Sequence, residues 1–213
     1  MSVLELERYL TQRARWPARG RHILARYTDE TVFVYQAYRP SIAESAVREQ
    51  RLGGGGFSFD RMSWVKPNFL WMMYRSGWAQ KEGQERVLSL EVTRAAFDAW
   101  LAAAVHSSYV AEVYGDRPSW DRAVKRSTVR LQWDPDHDPS GNPQERRAIQ
   151  LGLRGASLRE LGEGALVSVT DVTELVHAQH ANVRKDTIES LETPLERVYP
   201  VRDPVVAARL GVD

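Results

Sequence analysis

The sequence predicts an α+β fold: a single domain with a split or mostly antiparallel sheet flanked by helices. Three observations predict it. TVFVYQAY, rich in β-branched and aromatic residues, and the shorter apolar runs VLSLEV and RAIQLGL read as strands. Between them lie segments with apolar residues at helical spacing, such as Ala96, Phe97, Trp100, Leu101 and Ala104. The two kinds of segment mix without the regular βαβ alternation of a parallel sheet. The length of 213 residues suits one domain.

Residues 2–14 read as a short amphipathic helix ended by Trp16-Pro17. Residues 23–27 and 31–38 are expected strands joined by the turn at Asp29-Glu30. Pro40 suits the first turn of a helix that stops near Gln50, and Gly53 to Gly56 read as a flexible linker. Phe57 to Phe59 is marked as the start of a strand. Residues 62–65 are extended because Pro67 disfavours helix before it. Asn68 to Ser76 then winds as a helix with Gly77 as its stop. A strand over 85–92 leads to a helix capped by Thr93 and running to Ser107. Residues 109–126 are a helix or an irregular excursion. Strands follow at 129–133, 147–153 and 165–169, with DPDHDPSGNPQ as a loop and a short helix over 158–162. A helix capped by Thr170 or Asp171 runs to Ala181. The expected organisation is a basic helical arm (1–21), a main body (22–192) and a wrapping tail (193–213).

Composition removes several chemistries. There is no cysteine, hence no disulfide, thiolate nucleophile or cysteine zinc site. No apolar run reaches membrane-spanning length, so a soluble cytoplasmic protein with no membrane partner is expected. The 29 basic and 28 acidic residues leave a net charge of +1. Two stretches are locally basic: 1–26, with six arginines against Glu5 and Glu7, and 117–130. Both read as solvated surface, with phosphate contact as the alternative.

Four glycines at 53–56 are no phosphate loop, since they follow a helix and no GK[ST] occurs. Asp134, Asp136, Asp138, Ser140 and Glu145 fall at calcium-loop spacing, but Pro139 stands where that loop needs glycine. A magnesium-dependent phosphoryl-transfer site from Asp134, Asp136 and Glu145 stays as a further alternative. The histidines at 22, 106, 137, 177 and 180 show no metal spacing and are expected at the surface. No serine sits in a G-x-S-x-G elbow.

The stretch RMSWVKPNFLWMMYRSGW (61–78) carries the site hypothesis. Buried tryptophans with snorkelling cations would explain Arg75 at a helix end, but not Arg61 and Lys66 flanking Trp64. Aromatic faces beside forked donors suit a base, a ribose and a diphosphate. Arg61, Lys66 and Arg75 are the candidate phosphate holders, Trp64 and Trp71 the candidate walls, and Asn68 completes the cofactor-binding set.

RYTDETVFVYQAY, RMSWVKPNFLWMMYRSGWAQKEGQE, LQWDPDHDPSG, RRAIQLGLRG and LERVYP together resemble a family known as a domain of unknown function, DUF4291, from about residue 22 to 210. VYQAYRPSIAESAVREQRLGG is also similar in layout to the first strand, turn and helix of ADP-ribosyltransferases, with SWVKPNFLWMMYRSG in place of the piece that lines their NAD pocket. That second resemblance implies an ADP-ribosyltransferase-like fold and an NAD-using transferase, with nucleic acid as the acceptor class. It places Gln36 and Tyr38 at the nicotinamide end and Glu145 or Gln150 at the ribose. The usual histidine and the late catalytic glutamate have no clear equivalents. A non-catalytic nucleotide- or RNA-binding module is the alternative.

Overall fold

The strand Thr31–Tyr38 is buried along almost its whole length, as TVFVYQAY requires of a strand covered on both faces. The computed structural model that places it describes residues 4–184 and 187–213. Thr31–Tyr38 pairs antiparallel with Arg86–Thr93, Val34 opposite Leu90, and Arg86–Thr93 pairs antiparallel with Leu166–Asp171. These three strands form one sheet.

The second sheet is built on a long hairpin. Val129–His137 pairs antiparallel with Pro143–Leu153, Gln132 opposite Gln150. Ala104–His106 adds a parallel edge beside Val129–His137. On the far side of Pro143–Leu153 lie Gly20–Arg21, parallel, and Ser63–Val65, antiparallel, with Trp64 opposite Gly152. The fold is therefore α+β with mostly antiparallel sheets.

Among the described residues one pair of backbone hydrogen bonds links the two sheets. Immediately after Ser63–Val65 the chain stays extended, as a residue before proline should. Lys66 exchanges backbone hydrogen bonds with Tyr35 of the first sheet: Tyr35 N–H to Lys66 O at 2.7 Å and Lys66 N–H to Tyr35 O at 3.2 Å. Ser63–Val65 is thus the seam between the sheets.

Two apolar clusters hold the body. One joins both sheets to the helices Arg94–Ala103 and Gly155–Glu163 through Leu90, Phe97, Trp100, Leu131, Ile149 and Leu158. The other underlies the helix Phe69–Ser76, with Tyr35, Phe69, Leu70, Met73, Val176 and Leu191. Val176 comes from the helix Thr173–Arg184, whose entry is fixed by Asp171 accepting from Thr173 N–H at 2.9 Å.

Several expectations need correction. Residues 2 and 3 of the expected first helix lie outside the described residues; after them come a strand, Leu6–Arg8, and a short helix, Tyr9–Arg13. The strand pairs with Glu192–Pro194, so long-range pairing overrides the local helical pattern. Phe57 to Phe59 forms no strand. The helix after Thr93 ends at Ala103, because Ala104–His106 joins the sheet edge. The acidic stretch read as a loop is largely strand: Asp134 and Asp136 sit in the ladder and only its tip turns. The glycines at 53–56 are a packed turn against the helix Pro40–Glu49, not a flexible linker. A Cβ on Gly55 would stand 2.0 Å from the Ser41 carbonyl oxygen, and Gly55 has φ +63°.

No helix among the described residues is long and apolar enough to cross a membrane. The basic stretch at 117–126 is a surface helix, Arg117–Arg126, with no buried residue. The Arg130 and Arg154 guanidiniums donate to carbonyls at its C-terminal end, where positive charge suits the helix dipole.

Candidate functional site

The seam opens on one side into a cavity of about 550 Å³, a volume that suits a nucleotide-sized ligand. Gln36 and Ala37 of the first sheet form one wall. Gln132 and Gln150, a cross-strand pair, form the other. Arg61, Met62, Ser63, Trp64 and Lys66 come from the seam, Met72 and Arg75 from the helix Phe69–Ser76, and Gln84 from the turn before Arg86.

Each position follows from local structure. In Pro143–Leu153 the odd residues 149, 151 and 153 enter the core, so Gln150 and Gly152 face the cavity side. Gly152 has no side chain because Trp64 and Met62 lie on it: a Cβ there would be 2.7 Å from Met62 Sδ and 2.9 Å from Trp64 Cε2. The helix carrying Arg75 is set at its N-terminus by Asn68, whose Oδ1 accepts from Trp71 N–H at 2.7 Å. Gly77, left-handed at φ 59°, ends it about two turns later.

The cavity is cationic. Lys66 is 4% exposed. Its Nζ donates to Trp64 O at 3.2 Å. Among the described residues none of Arg61, Lys66 and Arg75 forms an ion pair. Burial, reinforced by the Arg75 charge, lowers the Lys66 ammonium from 10.5 to about 8, against the opposing pull of Asp134. Asp134 sits behind the amide wall, accepting from Gln132 Nε2 at 2.8 Å and Gln150 Nε2 at 2.7 Å. On the other wall Gln36 donates to Ser63 Oγ and accepts from the Tyr38 hydroxyl. Burial pushes the Tyr38 phenol well above its ordinary range, so it stays a donor.

Six of the residues singled out from the sequence therefore line one cavity: Gln36, Arg61, Trp64, Lys66, Arg75 and Gln150. Tyr38 stands behind Gln36. The others lie elsewhere. Asn68 serves as the helix cap and donates to Glu196 at 2.9 Å. Trp71 is buried, stacked on Tyr74 and His137 at 5.3 and 5.4 Å. Glu145 is exposed on the opposite strand face from Gln150. Asp136 is buried in an ion pair with Arg146, so Asp134, Asp136 and Glu145 do not converge. No group of three or more metal-ligating side chains occurs among the described residues. His106 and His137 are buried, not surface residues, since each lies in a strand the composition concealed. The sequence reading misses Gln84 and Gln132 as site residues and offers Asp134 only as a metal ligand, not as the acceptor behind the amide wall. Strand parity would have found Gln132 and Asp134 had Val129–His137 been read to its full length.

The family model for a domain of unknown function, DUF4291, matches residues 22–199. The chain belongs to the DUF4291 family. Its match takes in every residue that lines the cavity, and also Glu196, whose carboxylate accepts from Asn68 and from Phe69 N–H at the start of the cavity helix. No curated protein matches this DUF4291 chain.

Proposed function

We propose that the DUF4291 cleft binds a nucleotide bearing a pyrophosphate, and that the protein is a transferase that uses such a nucleotide as group donor. One observation carries this reading: three cations line a single cavity without an ion pair of their own among the described residues. The buried Lys66 ammonium is costly until an anion joins it, and a diphosphate offers it charge while giving the exposed Arg61 and Arg75 forked acceptors at the rim. The half-buried Trp64 ring supplies a face for a base, and the glutamines supply donors and acceptors for its edge and for ribose hydroxyls.

NAD is the specific candidate. An ADP-ribosyltransferase-like arrangement, with the dinucleotide in a cleft between two sheets, fits the mostly antiparallel α+β fold. In that reaction the nicotinamide–ribose bond breaks through an oxocarbenium-like state that calls for negative charge near the ribose. Gln36 and Tyr38 would meet the nicotinamide end and Gln150 the ribose, with Asp134 behind it as the carboxylate. Glu145 is on the wrong strand face for this role. An amide cannot act as general base, so transfer to a nucleic-acid acceptor would be slow unless Asp134 serves. A non-catalytic nucleotide- or RNA-binding module would show the same affinity and no turnover.

The test is a thermal-shift panel of NAD, ATP, GTP, short RNA and Mg²⁺, with nicotinamide release followed in parallel. A true ligand at about a hundred times its Kd stabilises by roughly 2.7 kcal/mol. Arg61→Ala and Arg75→Ala, both exposed side chains, should erase that shift and leave the free protein's melting unchanged. A cleft indifferent to every nucleotide sinks the reading.

A further inference from the structure

The amine of Lys66 is set unlike the two guanidiniums beside it. Arg61 and Arg75 are exposed at the cavity rim, where a phosphate can reach them from solvent. Lys66 is almost wholly buried, yet it lines the same cavity. Its backbone is clamped on both sides, by Tyr35 and by the seam strand, so its side chain starts from a fixed point. Its Nζ donates to a carbonyl two residues back. A lysine kept only to neutralise a phosphate has no need of burial, because desolvation weakens its charged form. Desolvation beside a second cation is how a lysine becomes a nucleophile, since it enriches the neutral amine.

We propose that Lys66 is the catalytic nucleophile of this cleft: its Nζ attacks the α-phosphorus of a nucleoside 5′-pyrophosphate held by Arg61 and Arg75, and carries the nucleotidyl group as a phosphoramidate. The inference rests on the nucleotide reading above and deepens it. The Nζ–P bond forms as the bond from the α-phosphorus to its bridging oxygen breaks. The departing phosphate takes the electron pair, and the proton shed by nitrogen passes to it or to water. With a nucleoside triphosphate the leaving group is pyrophosphate; with NAD it is nicotinamide mononucleotide. The lysine lies among the phosphate-holding cations, which puts phosphorus rather than the ribose C1′ within its reach. Among the described residues no carboxylate lines the cavity, and Asp134 behind the amide wall already accepts from Gln132 and Gln150, so the arrangement suits phosphorus better than an oxocarbenium centre. The ordinary proton loss also fits: an ammonium lowered to about 8 supplies neutral amine near neutral pH.

The full chain is incubated with Mg²⁺ and either ATP or NAD, each labelled in the adenylate, and read by intact mass and peptide mapping. The expected result is one adenylate per chain, on Lys66, stable to hydroxylamine and labile to acid as a P–N bond is. Pyrophosphate is released in the ATP arm or nicotinamide mononucleotide in the NAD arm, and the arm that labels names the donor. Lys66→Arg, which keeps the charge, and Lys66→Met, which keeps the bulk, should each lose the adduct completely; Lys66→Arg should keep a nucleotide-induced shift because the cation remains, and Lys66→Met should weaken it. Should either variant fail to fold, mapping of the wild-type adduct decides alone. A nucleotide that stabilises the wild-type protein without labelling it, labels another residue, or leaves ADP-ribose on the chain overturns the lysine proposal and spares the binding reading. A chain that no nucleotide stabilises overturns both.

Discussion

Gly152 and Glu196 each fix the site through a single contact surface. At Gly152 the strand comes so close to Met62 and Trp64 that a methyl group would overlap both. Gly152→Ala is expected to displace the indole from the cavity edge. Overpacking of this kind costs about 1–3 kcal/mol. Urea unfolding would show that loss, and a weaker nucleotide shift should accompany it; wild-type values in both would remove Trp64 from the site. Glu196 acts at the other end of the helix Phe69–Ser76, where its Oε1 accepts from Phe69 N–H at 2.7 Å. Burial raises its carboxyl from 4.5 to about 8, with the nearby Asp136 charge adding to the rise and the hydrogen bonds opposing it. Between those two values the folded chain holds more protons than the unfolded one. Stability from this group is therefore full below about 4.5 and falls as pH rises towards about 8. Glu196→Gln should flatten that decline, as measured by denaturant midpoints across the window; an unchanged slope would assign the decline to other groups.

At the scale of elements, the helix that presents Arg75 depends on one cap. Asn68→Ala removes the acceptor for Trp71 N–H and the donor to Glu196 together. A lost cap costs about 1 kcal/mol. The stranded Glu196 oxygen adds to it, so a midpoint drop larger than an exposed-cap loss is expected; a smaller one would mean that the cap is dispensable. This helix was legible in the sequence because its signals are local: Pro67 before it, Asn68 at its start, Gly77 at its end. Glu196 was not legible, since it arrives from more than a hundred positions away. The long hairpin was misread for the opposite reason. Its aspartates and prolines carry loop propensities, and cross-strand partners override them: Gln150 on Asp134 and Arg146 on Asp136, with Gln132 of the same strand adding a bond to Asp134. The three cations and Trp64 were found from their clustering. Trp71 was assigned to the wrong side of its helix because periodicity tells faces apart without saying which one meets the cavity.

Over the whole molecule, the two chain ends are part of the body. Leu6–Arg8 pairs with Glu192–Pro194, and Arg197–Val198 pairs with Leu24–Ala25. Gln12, fully buried, donates to Thr193 Oγ1 at 2.9 Å and accepts from Glu196 N–H at 2.8 Å. Tyr199 and Leu210 enter the main apolar cluster. Deleting residues 193–213 should therefore abolish cooperative thermal unfolding, not merely shorten a surface strap. A truncated chain that melts in one sharp transition near the full-length temperature would refute this.

The meeting of the two sheets at Tyr35 and Lys66 has a mechanical corollary. One pair of peptide groups ties the two sheets together, and the amine of one of its residues lines the cavity beside the joint. Whatever tethers that nitrogen also stiffens the joint, so filling the cleft should slow deuterium uptake at the Tyr35 and Lys66 amides more than at the distant edge near Ala104. On the proposed binding reading, the amine that meets the ligand and the peptide groups that join the sheets belong to the same residue, and no separate messenger is needed between them.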